Sequence, residues 1–181
     1  GNIGTSFALQ VAQTDFDFYV LELSSFQLDD IKEFSPHIAV ITNITPDHLD
    51  RYNNQFEAYI QSKLKISENQ TEKDFFLFNA EDPVLRRALK TKTIKAKKIP
   101  LATSPKPTGV FVEENQITIQ LKNKKSPEAS RSLGSRLCIN AVCCTRLQGQ
   151  VIDTSFSGHD AQMLQLLCSH VSLFLKSAGN S

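Results

Sequence analysis

Two apolar rhythms alternate along the first hundred residues. Residues 16–23 (FDFYVLEL), 37–44 (HIAVITNI) and 74–78 (DFFLF) are short, nearly continuous apolar runs. Such runs predict strands covered on both faces. Residues 55–69 (QFEAYIQSKLKISEN) repeat at a different period. At about 100° per residue, Phe56, Tyr59, Ile60 and Leu64 fall on one stripe of a helix. Shorter helices are predicted over 3–13, 27–33 and 83–89, and a fourth strand over 98–102. Strand–helix alternation at this spacing predicts an α/β fold: a mostly parallel, right-handed sheet flanked by helices. Residues 110–113 and 116–121 alternate around Glu114 and Asn115, as a small β-hairpin would.

The texture changes near Lys122. Residues 122–131 (KNKKSPEASR) are charged and read as a loop, and after them only Asp153 and Asp160 remain as acids. We therefore expect two parts: an α/β unit over 1–125, and a divergent, weakly helical tail of uncertain origin over 126–181. Net charge is +1, which leaves no electrostatic footprint for nucleic acid. The most apolar late segment, 163–175, is too short to span a bilayer and contains His170. All four cysteines (Cys138, Cys143, Cys144, Cys168) lie late and lack metal-ligand spacing. Reduced thiols and a cytoplasmic location are the expectation. The chain opens on GNIG rather than on Met, as a piece of a longer protein would.

One residue breaks the helical stripe. Lys63 projects near its middle, while Lys65 points the opposite way. A lysine aimed at a core is costly unless paired, and desolvation lowers its pKa. Alternatively, its stem packs while its ammonium snorkels to water. Two further ionisable residues belong to the same sheet edge, where open parallel sheets place their ligands. Glu22 ends the first apolar run, and His48 follows the second, flanked by Asp47 and Asp50. Each has an ordinary reading: Glu22 paired with Arg51, His48 capping the next helix, the aspartates serving a turn. Together they suggest a metal or phosphate site. Carboxylate and imidazole suit a divalent cation, but an ammonium does not. Carbon dioxide added to the Lys63 amine would give a carbamate, which is a carboxylate on a long arm.

The segments GNIG (1–4), ELSSFQLD (22–29), NITPDHLDRY (43–52), SKLKI (62–66) and NAED (79–82) occur in this order. Together they resemble the Mur ligase family, and within it the branch that adds D-glutamate to UDP-N-acetylmuramoyl-L-alanine in peptidoglycan synthesis. The resemblance covers about residues 1–125, most of that family's central ATP-binding domain. It implies an amide-bond-forming ligase that works through an acyl-phosphate, with ATP and two Mg2+ ions. By motif match, Glu22, His48 and Lys63 would be the catalytic and metal-binding residues, Lys63 as the carbamate. Asn2, Ser24 and Gln27 would contact the UDP-linked substrate. Asn79 and Asn140 would lie on the ATP side.

Departures accompany the resemblance. No G-x-x-x-x-G-K-[ST] phosphate loop occurs in the chain; the family carries it upstream of GNIG. The family's N- and C-terminal domains are missing as well, so the isolated chain is expected to be inactive. Residues 134–144 (GSRLCINAVCC) match only the second asparagine of a G-x-H-N-x-x-N-A pattern. Two other readings stay open: a non-catalytic nucleotide- or substrate-binding module, and another ATP-dependent amino-acid ligase such as a folylpolyglutamate synthase.

Overall fold

The computed structural model describes residues 6–13, 19–104, 107–113, 116–121, 124–128 and 142–145. The elements run α1 (Phe7–Gln13), β1 (Tyr19–Glu22), β2 (Ile38–Ile41), α2 (Phe56–Leu64), β3 (Phe75–Asn79), α3 (Pro83–Thr91) and β4 (Lys97–Ala102). Then follow β5 (Gly109–Glu113), β6 (Gln116–Leu121), β7 (Lys124–Glu128) and β8 (Val142–Thr145). The eight strands among the described residues form one sheet, ordered β1-β8-β2-β3-β4-β5-β6-β7.

The parallel block is β2, β3, β4 and β5, with Ile38 beside Phe75 and Phe75 beside Lys97. Its apolar runs are buried on both faces. Ala39, Ile41 and Phe76 join the core under α2 and α3, while Ile38, Val40 and Leu77, also buried, alternate to the other side. From α2 the core takes Tyr59, Ile60 and Leu64, and from α3 it takes Leu85 and Ala88. Asp82 caps α3, its carboxylate accepting the Leu85 N–H at 2.8 Å, and Pro83 follows where a missing N–H costs nothing. The hairpin pairs β5 with β6 antiparallel, Glu113 opposite Gln116.

Three local expectations are corrected. Residues 27–33 do not form a helix. A 3₁₀ turn at Ser25–Gln27 stops there because Leu28 dives fully into the core and Asp29 is held by Tyr52 and Lys65. Tertiary bonds override the local helical pattern. The charged stretch after 121 is not wholly a loop: residues 124–128 pair antiparallel with β6. This is the outer strand of the sheet, where lysines and a proline are tolerated and discourage further pairing. Within the tail, 142–145 is a strand rather than a helix, lying antiparallel between β1 and β2. The rest of the tail, including Asn140, lies outside the described residues, as do Asn2 and the ends of the helix expected over 3–13 and the strand over 16–23.

Candidate active site at the carboxyl edge of the sheet

Lys63 lies in the last turn of α2 and is 1% exposed. The snorkelling alternative fails, because the whole side chain is enclosed. Its Nζ sits 5.1 Å from the centre of the Tyr59 ring, a cation–π floor. Burial lowers its pKa from 10.5 to about 8, against the pull of Asp47 and Glu22 in the opposite direction. Glu22 shows the mirror effect. Half-buried at the end of β1, its carboxyl is pushed up by burial, with Lys63 opposing. Burial, then Asp47 and Tyr52, pushes the Tyr59 hydroxyl up to about 12. Base and acid are both drawn toward their neutral forms, as groups kept for chemistry often are.

The loop after β2 brings the next residues. Asp82 anchors its base: the carboxylate that caps α3 also accepts the Ile44 N–H at 3.2 Å. His48 then takes the left-handed conformation (φ 48°), and Asn53 and Asn54 do the same beyond the 3₁₀ turn Leu49–Tyr52. The turn folds Asp47 over its neighbour, so that Asp47 Oδ1 accepts the His48 N–H at 2.9 Å. The His48 ring stands at the open rim, 55% exposed, edge-on to Phe26 with centroids 6.1 Å apart. It starts the 3₁₀ turn through its backbone, with no side-chain cap.

The structure thus places Glu22 and Asp47 within electrostatic reach of Lys63, with the exposed His48 ring beside Asp47, its Nε2 3.6 Å from Asp47 Oδ2. Asp47, in the sequence merely a neighbour of His48, outranks Glu22 as the charge acting on Lys63. Its signal was adjacency to a histidine in a turn, which does not reveal where the carboxylate points. Arg51, the candidate partner for Glu22, instead lays its guanidinium 4.3 Å above the Phe26 ring. Ser24 and Gln27 flank the same edge, the Gln27 Oε1 accepting the Ser24 N–H at 2.8 Å. This leaves the Gln27 amide NH2 as its outward donor. Asn79 ends β3 and accepts the Glu81 N–H at 2.8 Å.

The donor set constrains any cation. Among the described residues no three His, Cys, Asp or Glu side chains converge as a ready cage. Glu22, Asp47 and His48 are donors of the type a hard cation takes, and among the described residues Lys63 is the enclosed amine that could be converted to a further carboxylate. Such a set fits magnesium once the lysine is carboxylated.

Residues 2–147 match the Mur ligase middle domain. The chain belongs to the Mur ligase family. It is 48% identical over 126 residues to the UDP-N-acetylmuramoylalanine–D-glutamate ligase of Christiangramia forsetii, 69% of this chain and 28% of that protein. The protein of the same name from Bacteroides fragilis is 46% identical over 120 residues, 66% of this chain and 27% of that one. That from Streptococcus agalactiae is 40% identical over 144 residues, 78% and 31% respectively. The chain therefore spans less than a third of the curated relatives it matches. The Mur ligase match runs past residue 125 and takes in β8.

Proposed function

We propose that this Mur ligase chain is the central part of an ATP-dependent ligase that joins D-glutamate to UDP-N-acetylmuramoyl-L-alanine. In the complete enzyme the substrate carboxylate would attack the γ-phosphate of ATP. The amine of D-glutamate would then capture the acyl-phosphate and release phosphate. The observation that carries the reading is Lys63: enclosed at 1% exposure, over an aromatic floor, facing Asp47 and Glu22. Its lowered pKa keeps part of the population as free amine near neutral pH, ready to take up carbon dioxide.

Carboxylated Lys63, Glu22 and His48 would hold magnesium, with Asp47 a further oxygen donor. Magnesium would offset the charge on the transferring phosphoryl group. The chain's own residues perform the positioning. Glu22 and Asp47 favour a cation beside the reacting carboxylate. The enclosed lysine stem excludes water. Ser24 and Gln27, with Asn2, would meet the UDP-linked substrate, and Asn79 and Asn140 the ATP side. The phosphate loop and the D-glutamate contacts would come from the family's other segments, and the tail beyond the match at 147 would be divergent sequence. Such an enzyme would work in the cytoplasm, where its nucleotide substrates are made. No helix among the described residues is long and apolar enough to cross a membrane.

A chimera tests this: residues 2–121 in place of the matching stretch of the C. forsetii ligase. It should form product from ATP, D-glutamate and the UDP-linked acceptor. Lys63→Ala should cost roughly 100-fold or more in kcat, the scale of losing a group that organises transition-state charge. Acetate or propionate should restore part of it by standing in for the carbamate. Normal turnover in Lys63→Ala would overturn the role. Substrate affinity without turnover in the parent chimera would favour a binding module. The 181-residue chain alone should show no ATP-dependent phosphate release.

A further inference from the structure

Behind the candidate site lies a polar cluster that its chemistry does not use. Tyr52 Oη donates to Asp29 Oδ2 at 3.0 Å and lies 3.0 Å from Ser62 Oγ. Ser62, 2% exposed, reaches the Ser25 carbonyl at 2.8 Å. Lys65 Nζ donates to the Asp29 carbonyl at 2.9 Å and lies 3.5 Å from Asp29 Oδ1. The Tyr52 ring stands edge-on to Tyr59, centroids 5.6 Å apart at 73°. Tyr59 is the floor beneath the Lys63 amine.

The partners come from three segments. Ser25 and Asp29 follow Glu22, Tyr52 follows Asp47 and His48, and Ser62 adjoins Lys63 on α2. We propose that Tyr52 is a positioning residue: its hydroxyl, through Asp29 and Ser62, locks together the three segments that carry Glu22, Asp47–His48 and Lys63. The inference rests on the reading of that edge as a cation site.

Geometry favours this over simple packing. Ring contacts alone would be met by phenylalanine. The hydroxyl is placed between one acceptor, Asp29 Oδ2, and one other hydroxyl, that of Ser62, which in turn reaches the Ser25 carbonyl. Two hydroxyl protons serve three contacts. The Asp29 carboxylate takes the Tyr52 proton, and Ser62 shares its own between the Ser25 carbonyl and Tyr52 Oη. Loss of either hydroxyl therefore frees more than one tie. Groups that orient the ligands of a cation typically change its affinity about 10–100-fold when removed.

The test uses the 181-residue chain in bicarbonate buffer, with Mn2+ as the paramagnetic stand-in for magnesium and its affinity read by electron paramagnetic resonance. Tyr52→Phe should weaken Mn2+ binding roughly tenfold or more. Ser62→Ala should do the same, and it decides the matter if Tyr52→Phe does not fold. Asp29→Asn, which keeps an acceptor for Tyr52, should retain most of the affinity. Ile99→Val, a core trim on β4 away from these segments, should lower the melting temperature and leave Mn2+ affinity unchanged. Wild-type affinity in both Tyr52→Phe and Ser62→Ala would overturn the positioning role while leaving the site standing. Equal binding by wild type and Glu22→Gln would remove the site itself, and the inference with it.

Discussion

The two ends of the parallel block treat charge in opposite ways. At the amino end, Asp74 is enclosed by donors: its Oδ2 accepts the Thr71 N–H at 2.7 Å and the Thr71 hydroxyl at 2.9 Å, and Oδ1 lies 3.0 Å from His37 Nδ1. Burial alone would raise the Asp74 pKa, but the bonds from Thr71 and His37 bring it below the usual 3.8. Nearby, the buried Gln70 amide donates to the Pro36 and Phe75 carbonyls at 2.9 and 3.0 Å. At the carboxyl end, Glu22 is pushed up and Lys63 down. One end spends its polar groups on holding strands; the other keeps an acid and a base near neutrality. A satisfied carboxylate stabilises the fold, and a destabilised amine remains available for reaction.

Substitutions and titrations probe this contrast. Lys63→Met should have the largest effect on stability. Neutralising an enclosed amine whose folded-state pKa is about 8 rather than 10.5 removes a cost on the order of 3 kcal/mol at pH 7. Denaturant unfolding should therefore show a more stable variant even though it lacks the site. A variant less stable than wild type would make Lys63 a structural ion-pair partner.

The pH dependence of the unmodified chain follows from the same shift. Because the folded pKa is lowered, the unfolded state binds more protons between about pH 8 and 10.5. Stability contributed by Lys63 should rise across that window in buffer free of carbon dioxide, and Lys63→Met should flatten the rise. A flat wild-type profile would break the contrast.

Asp74→Ala should cost about 1–2 kcal/mol by leaving the Thr71 donors and His37 without their acceptor. Here the folded pKa is lowered on an acid, so the stabilisation is present above 3.8 and is lost as pH falls through the folded value. Acid unfolding of Asp74→Asn should lack that component. Smallest of all, Arg87→Ala removes an exposed pair with Glu57 at 2.9 Å and should change stability by less than about 0.5 kcal/mol. A larger loss would mean that surface pairs, not the two strand ends, govern this domain.

Periodicity revealed much of this. The buried strands announced themselves as apolar runs, and Lys63 was visible because it interrupts a helical stripe. Glu22 was visible for the same reason at the end of β1. What escaped depends on geometry that no local pattern encodes. Asp47 acts on Lys63 because a left-handed His48 turns the chain. The strand β8 pairs with partners more than a hundred residues earlier, and β7 is an edge strand whose charges mimic a loop. The 27–33 segment is diverted by bonds to Tyr52 and Lys65 from other elements. The family motifs pointed to Glu22, His48 and Lys63, but the division of labour between enclosed lysine and exposed histidine emerges only from the fold.

The most direct measurement is the titration of the Lys63 side chain by nuclear magnetic resonance, in the 181-residue chain without carbon dioxide or metal. Enclosure against Tyr59, Asp47 and Glu22 predicts a midpoint at about 8. A midpoint at the 10.5 of a solvated lysine would place the amine in water and contradict the site.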